Sequence, residues 1–134
     1  MTMRILLFSA LFAAAVAGGQ AYADEPGPGG TKVPVPVTGE QIYRSVCQSC
    51  HMADAKGATG AATIPALAAN PALAAPEYPV MMMATGRGAM PPLTDTLSPA
   101  QVAAVATYIR THFGNHYTKP VTAEDASKII KTAH

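Results

Sequence analysis

Apolar residues recur at a helical period in four stretches of the chain, and glycine and proline interrupt the pattern between them. Thr38 followed by Gln41 forms a capping box, and Ile42, Tyr43 and Val46 then share one face, which predicts a short helix running into Cys47. Pro76 and Pro79 suit a first helical turn, which Val80 to Ala84 continue until Gly86 ends it. The strongest helix start joins Ser98 as N-cap, Pro99 at the first helical position and Gln101 in a capping box. Val102, Val105, Ala106, Ile109 and Phe113 keep one face apolar after it, and Gly114 is the expected stop. A last short helix is expected from Thr122, carrying Ile129 and Ile130. From Met52 to Ala75 the turn signals Gly57, Gly60, Pro65 and Asn70-Pro71 predict mostly loop with a short helical turn. The stretch GRGAMPPLTDTL at 86–97 is expected to be irregular. The expected fold class is therefore all-α.

The N-terminal part follows other patterns. Arg4, the apolar run Ile5 to Val16, and Ala21-Tyr22-Ala23 before Asp24 read as a cleaved signal peptide over 1–23. The run falls short of the roughly 20 residues of a comfortable membrane span, and an uncleaved anchor is the alternative. Residues 24–37, with EPGPGG and TKVPVPV, predict an extended arm: a disordered leader into the domain, or a segment that docks on a partner subunit. Residues 38–134 then form one domain, with a C-terminal extension from about 115.

Charge narrows the partners. The 134-residue chain has 9 basic and 8 acidic side chains, and the leader holds only Arg4, so 8 of each remain. No basic patch points to nucleic acid, and membrane association is expected only through a partner or an uncleaved leader. The aromatic residues after the leader are Tyr43, Tyr78, Tyr108, Phe113 and Tyr117. A domain this small would gain much from a large apolar prosthetic group at its centre.

The candidate chemistry lies in Cys47-Gln48-Ser49-Cys50-His51, which contains both cysteines of the chain and has the spacing of covalent haem c attachment. Two thioether bonds from Cys47 and Cys50 would tether the porphyrin and leave His51 to bind the iron from one face. A thioredoxin-like dithiol would need an alternating strand and helix pattern. Zinc would need two more soft ligands, whereas His112, His116 and His134 lie far along the chain. A plain disulfide would leave the histidine unexplained.

For the opposite face of the iron, Met52 is too close to His51. Met81, Met82 and Met83 lie on a predicted helix where side chains diverge by about 100°, so at most one is expected to face the haem, and their plainer role is packing. Met90 lies in a loop stiffened by Gly86, Gly88 and Pro91-Pro92, and is the expected second ligand, with a histidine as its competitor. Arg87, three residues earlier, could pair with a haem propionate or simply be solvated.

Through CQSCH, Ile64-Pro65-Ala66-Leu67, GRGAMPP and LSPAQVAAVATYIRTHFGN, the chain resembles the class I single-haem cytochromes c from Thr38 to about Asn115. The resemblance implies a small cytochrome c fold with one haem c per chain, and a proline carbonyl, here that of Pro65, accepting a hydrogen bond from His51. It also implies a crossing of the first and last helices through a glycine and aromatic contact, for which Gly39, Tyr43, Val105 and Tyr108 are suited. Leu93 departs from the pattern by standing where an aromatic residue is common. GRGAMPP with the tail GNHYTKPVTAED looks most like cytochrome domains or subunits attached to bacterial periplasmic dehydrogenases.

The expected function is periplasmic electron transfer without catalysis. The expected partner is a periplasmic dehydrogenase, a downstream respiratory acceptor, or both. Its competitors are a freely diffusing carrier that serves a terminal oxidase, and a peroxidase-like or gas-binding haem protein with a labile distal ligand.

Overall fold

The computed structural model describes residues 35–133; the leader expected over 1–23 and most of the arm expected over 24–37 lie outside the described residues. The domain is helical. In chain order it contains α1 (Gly39–Ile42), a π-helical turn (Tyr43–Cys47), α2 (Gln48–His51), β1 (Ala58–Thr59), β2 (Thr63–Ile64), a 3₁₀ turn (Pro71–Ala74), α3 (Glu77–Thr85), α4 (Pro99–Thr111) and α5 (Ala123–Ala133).

Thr38 caps α1 as its sequence implies, accepting from Gln41 N at 3.2 Å while the Gln41 side chain accepts from Thr38 N at 3.2 Å. The helix does not stop at Cys47. Its turns widen into the π segment and tighten again through α2, so the cysteine motif lies within one run of helical backbone rather than at its end. The path breaks only at Met52, which has φ 68°. Such single π turns occur often at functional sites.

Ser98 starts α4 with a second complete capping box, and Pro99 occupies its first turn. The end of α4 differs from the pattern-based expectation: the helix stops at Thr111, before Phe113 and Gly114. Side chains take over its last carbonyls. Asn115 Nδ2 donates to Ile109 O at 2.8 Å, Thr111 Oγ1 donates to Thr107 O at 2.9 Å, and His112 Nδ1 lies 2.9 Å from Tyr108 O. Phe113 is then held at φ 58°, a costly backbone for an aromatic residue. Its ring lies 4.7 Å from that of Tyr43, and its carbonyl accepts from Ala69 N at 3.0 Å.

α1 crosses α4 at Gly39, where a Cβ would lie 2.3 Å from Ala104 O and 2.5 Å from Tyr108 Cβ. That approach buries Ile42 and Tyr43 against Val102, Val105 and Ala106. The glycine and aromatic contact thus forms with the penultimate helix rather than the last, because α5 follows. Thr122 caps α5 by accepting from Asp125 N at 3.1 Å, and Thr107 Oγ1 accepts from Val121 N at 2.9 Å, tying the approach to α5 onto α4. α5 packs on both α3 and α4 and buries Ala126 completely, with Ile129 and Ile130 at the edge of the same core.

The crossing at Gly39 yields a direct expectation. Gly39→Ala should lower unfolding stability by about 1–3 kcal/mol, since the added methyl meets backbone and must push the helices apart. Thermal and denaturant unfolding measure it, and an unchanged midpoint would remove Gly39 as the determinant of the crossing.

Candidate functional site

The helices enclose a cavity of about 660 Å³ whose walls are mostly apolar. Cys47, Cys50 and His51 form one side of it: i, i+3 and i+4 positions share a helical face. Cys47 is half-buried and Cys50 exposed. Burial, followed by the charge of Cys50, pushes the Cys47 thiol up to about 11.

His51 is buried, and its Nδ1 lies 3.0 Å from Pro65 O. A carbonyl can only accept, so Nδ1 carries the proton and Nε2 keeps its lone pair for a ligand. The Pro65 loop is itself fixed. Ala55 O accepts from Leu67 N at 2.8 Å and from Ala68 N at 2.9 Å, and the short β1–β2 ladder precedes it. Tyr43 Oη donates to Met52 O at 2.7 Å directly after the histidine, and burial first of all pushes that phenol up to about 12.

Met90 lines the cavity from a different part of the chain. Its loop is less irregular than its composition suggests: Arg87 N donates to Met90 O at 2.9 Å and Met90 N to Arg87 O at 3.0 Å, closing a four-residue turn. Gly86 permits this with φ 66° and no Cβ, since a Cβ there would lie 2.5 Å from Met90 O. Leu93 N then donates to Met83 O at 2.7 Å, fastening the segment after the turn to α3.

Both Met82 and Met83 line the cavity and Met81 does not, which corrects the expectation of at most one. The cavity is wide enough to take in two neighbouring helical directions. Met52 is exposed and outside it, and Arg87 is the only Lys, Arg, Asp or Glu in the lining.

The lining fits haem c by its chemistry: two thiols on one helical face, an imidazole with a fixed tautomer, one thioether from a separate loop, and apolar walls for a macrocycle. Among the described residues, no three His, Cys, Asp or Glu side chains converge as a zinc site would require.

Arg110 and Asn115 are not singled out by the sequence pattern. Asn115 is buried and donates to Leu67 O and Ile109 O at 2.8 Å each, while its Oδ1 accepts from Asn70 N at 2.9 Å, so it joins the end of α4 to the loop beyond Pro65. Arg110 is buried as well. Its one available signal is position, four residues after Ala106 and eight after Val102 on the apolar stripe of α4.

A helical shell around a cavity that gathers a Cys-x-x-Cys-His motif and a distant methionine defines a cytochrome c. The chain belongs to the family described as cytochrome c oxidase, cbb3-type, subunit III, which matches residues 35–109. Two relatives, both named alcohol dehydrogenase (quinone), cytochrome c subunit, come from Gluconacetobacter polyoxogenes and Komagataeibacter europaeus. Each is 31% identical over 109 residues, covering 72% of this chain and 23% of the relative. The chain thus matches about a quarter of their length. Membership of the family implies covalently bound haem c and a part in electron transfer. Among the described residues, no helix is long and apolar enough to cross a membrane.

The Met90 turn can be probed through its glycines. Gly86→Ala should destabilise the protein more than Gly88→Ala, although both have positive φ and each should lose about 1–3 kcal/mol on that account. Only at Gly86 does the new Cβ also meet backbone. Equal denaturation midpoints for the two variants would contradict this.

Proposed function

We propose that the chain is an exported, one-haem electron carrier, with Cys47 and Cys50 as the thioether residues, His51 and Met90 as axial ligands, and a periplasmic dehydrogenase as electron donor. The observation that carries the reading is the convergence of His51 and Met90, from distant parts of the chain, on one apolar cavity that both cysteines also reach. When bound, haem c supplies an iron that alternates between ferric and ferrous states.

The residues of the chain have separate tasks. His51 holds its proton on Nδ1, facing Pro65 O, so that the ring keeps one orientation in both oxidation states. Met90 offers a neutral, soft sulfur that favours the reduced state relative to a second imidazole. Its turn, closed by two backbone hydrogen bonds and followed by Pro91-Pro92, holds that sulfur in place and disfavours an open site for peroxide or gases. Val105, Ile109, Leu73 and Leu93 keep water off the interior. Arg87 is the cation available to the carboxylates of the porphyrin edge.

The dehydrogenase partner is supported by the names of the two relatives and by the surface. Tyr78, Ala89, Pro91 and Pro92 are exposed residues at or beside the cavity mouth, in whose lining Arg87 is the only charged side chain of its kind. Such a surface gives little long-range steering and suits a subunit or domain held beside its donor. The carrier then receives one electron at a time and passes it to a respiratory acceptor, without acting as a catalyst.

Covalent attachment and ligation are tested together on exported protein. Cys47→Ala and Cys50→Ala should weaken or abolish the haem stain after denaturation. Met90→Ala should lower the midpoint potential and remove the ferric iron–sulfur charge-transfer band, which Met82→Ala and Met83→Ala should retain. Retention of the band in Met90→Ala, with its loss in another methionine variant, would transfer the ligand role.

The mode of partnership has its own test. Stopped-flow reduction by a quinone-type alcohol dehydrogenase should change little between low and high ionic strength. A steep fall with salt would instead mark a mobile carrier guided by charge.

A further inference from the structure

Arg110 is 2% exposed, and among the described residues it makes no ion pair. All its hydrogen bonds go to backbone carbonyls: Nε donates to Leu73 O at 2.8 Å, Nη2 to Ala74 O at 3.3 Å and Nη1 to Lys119 O. The Tyr117 ring covers it, with Cζ 6.0 Å from the ring centroid. The three ion pairs of the described residues, Arg44–Glu40, Lys56–Asp54 and Lys128–Glu124, are exposed. A guanidinium buried without a carboxylate is costly, and arginine cannot shed its proton to escape that cost. Joining the 3₁₀ turn to the approach to α5 calls for donors but not for a net charge. What sets this position apart is the charge itself, and where it lies. Leu73, whose carbonyl it holds, and Ile109, its neighbour on α4, both line the cavity.

We propose that Arg110 is a positioning residue with an electrostatic role: its uncompensated buried charge, next in sequence to Ile109 and hydrogen-bonded to the carbonyl of Leu73, both of which line the cavity, raises the reduction potential of haem held there. The inference rests on the haem-carrier reading above. Reduction adds one electron, taken from the donor, and lowers the charge of the site by one unit, so a fixed cation nearby favours the reduced form. The protein between them cannot rotate to screen the charge as water does, so the interaction persists at physiological salt. The three carbonyls and the tyrosine face make the burial tolerable without cancelling the charge. The same contacts hold Leu73 and Ala74 in place, so charge and geometry arrive through one side chain.

The experiment is potentiometric titration of exported holoprotein carrying Arg110→Met or Arg110→Lys. Arg110→Met should raise the ratio of oxidised to reduced protein at a fixed potential about tenfold, a fall in midpoint of about 59 mV for one electron. Arg110→Lys, which keeps the charge but not the fork of donors, should keep most of the wild-type midpoint while unfolding at a similarly lowered temperature. Equal midpoints in the two variants, whether unchanged or lowered alike, would overturn the proposal and leave Arg110 a structural clamp. If Arg110→Met does not accumulate as holoprotein, Tyr117→Glu, which sets a carboxylate beside the guanidinium, should lower the midpoint relative to Tyr117→Gln, and equal midpoints would again overturn it. Wild-type protein without covalent haem would instead refute the carrier reading itself, a result the spectrum distinguishes before any titration.

Discussion

An apolar cavity of about 660 Å³ at the centre of so small a domain is the constraint to which the other features answer. Protein interiors pack as densely as organic crystals. Unfilled apolar space in a core is destabilising, so a space of this size favours a bound group that fills it. The described residues alone cannot close the core around that space. Leu73, Val105, Ile109 and Met83 belong to the core and to the cavity wall at once, and a large flat apolar group in the cavity would give their inner faces something to pack against.

The shell around the cavity is held less by charge than by backbone geometry and hydrogen bonds. Its exposed ion pairs contribute little. Gly39 lets α1 and α4 touch, and Gly86 lets the Met90 turn close on itself. Asn115 and Arg110 do the remaining joining from within, each giving its donors to carbonyls that α4, the 3₁₀ turn and the loops leave without partners. Those two side chains connect the C-terminal segment to the walls of the cavity, which makes α5 part of the same body as the site.

The four main helical segments and the cysteine motif were legible in the sequence because their signals are local. Capping boxes at Thr38 and Ser98, proline in the first turn and a period near 3.6 residues depend on neighbours within a few positions. So does the choice of chemistry, since Cys47, Cys50 and His51 sit within five residues and their spacing alone puts them on one face. The all-α class and the membership of a cytochrome c family follow from those signals.

What only the tertiary structure decided is where long-range partners replace local ones. α4 ends at Thr111 because Asn115, Thr111 and His112 satisfy its carbonyls and Phe113 gains a tilted aromatic partner in Tyr43, 70 positions earlier in the chain. Met82 and Met83 share the cavity because its width, not the helical period, sets how many directions reach it. The burial of Arg110 without a carboxylate depends on loops whose course no local pattern encodes, whereas the nearness of Pro65 O to His51 was expected from the family resemblance. Helical periodicity could place Arg110 on the buried face of α4, but only the assembled fold determined that carbonyls would surround it, one of them from Leu73 in the cavity wall.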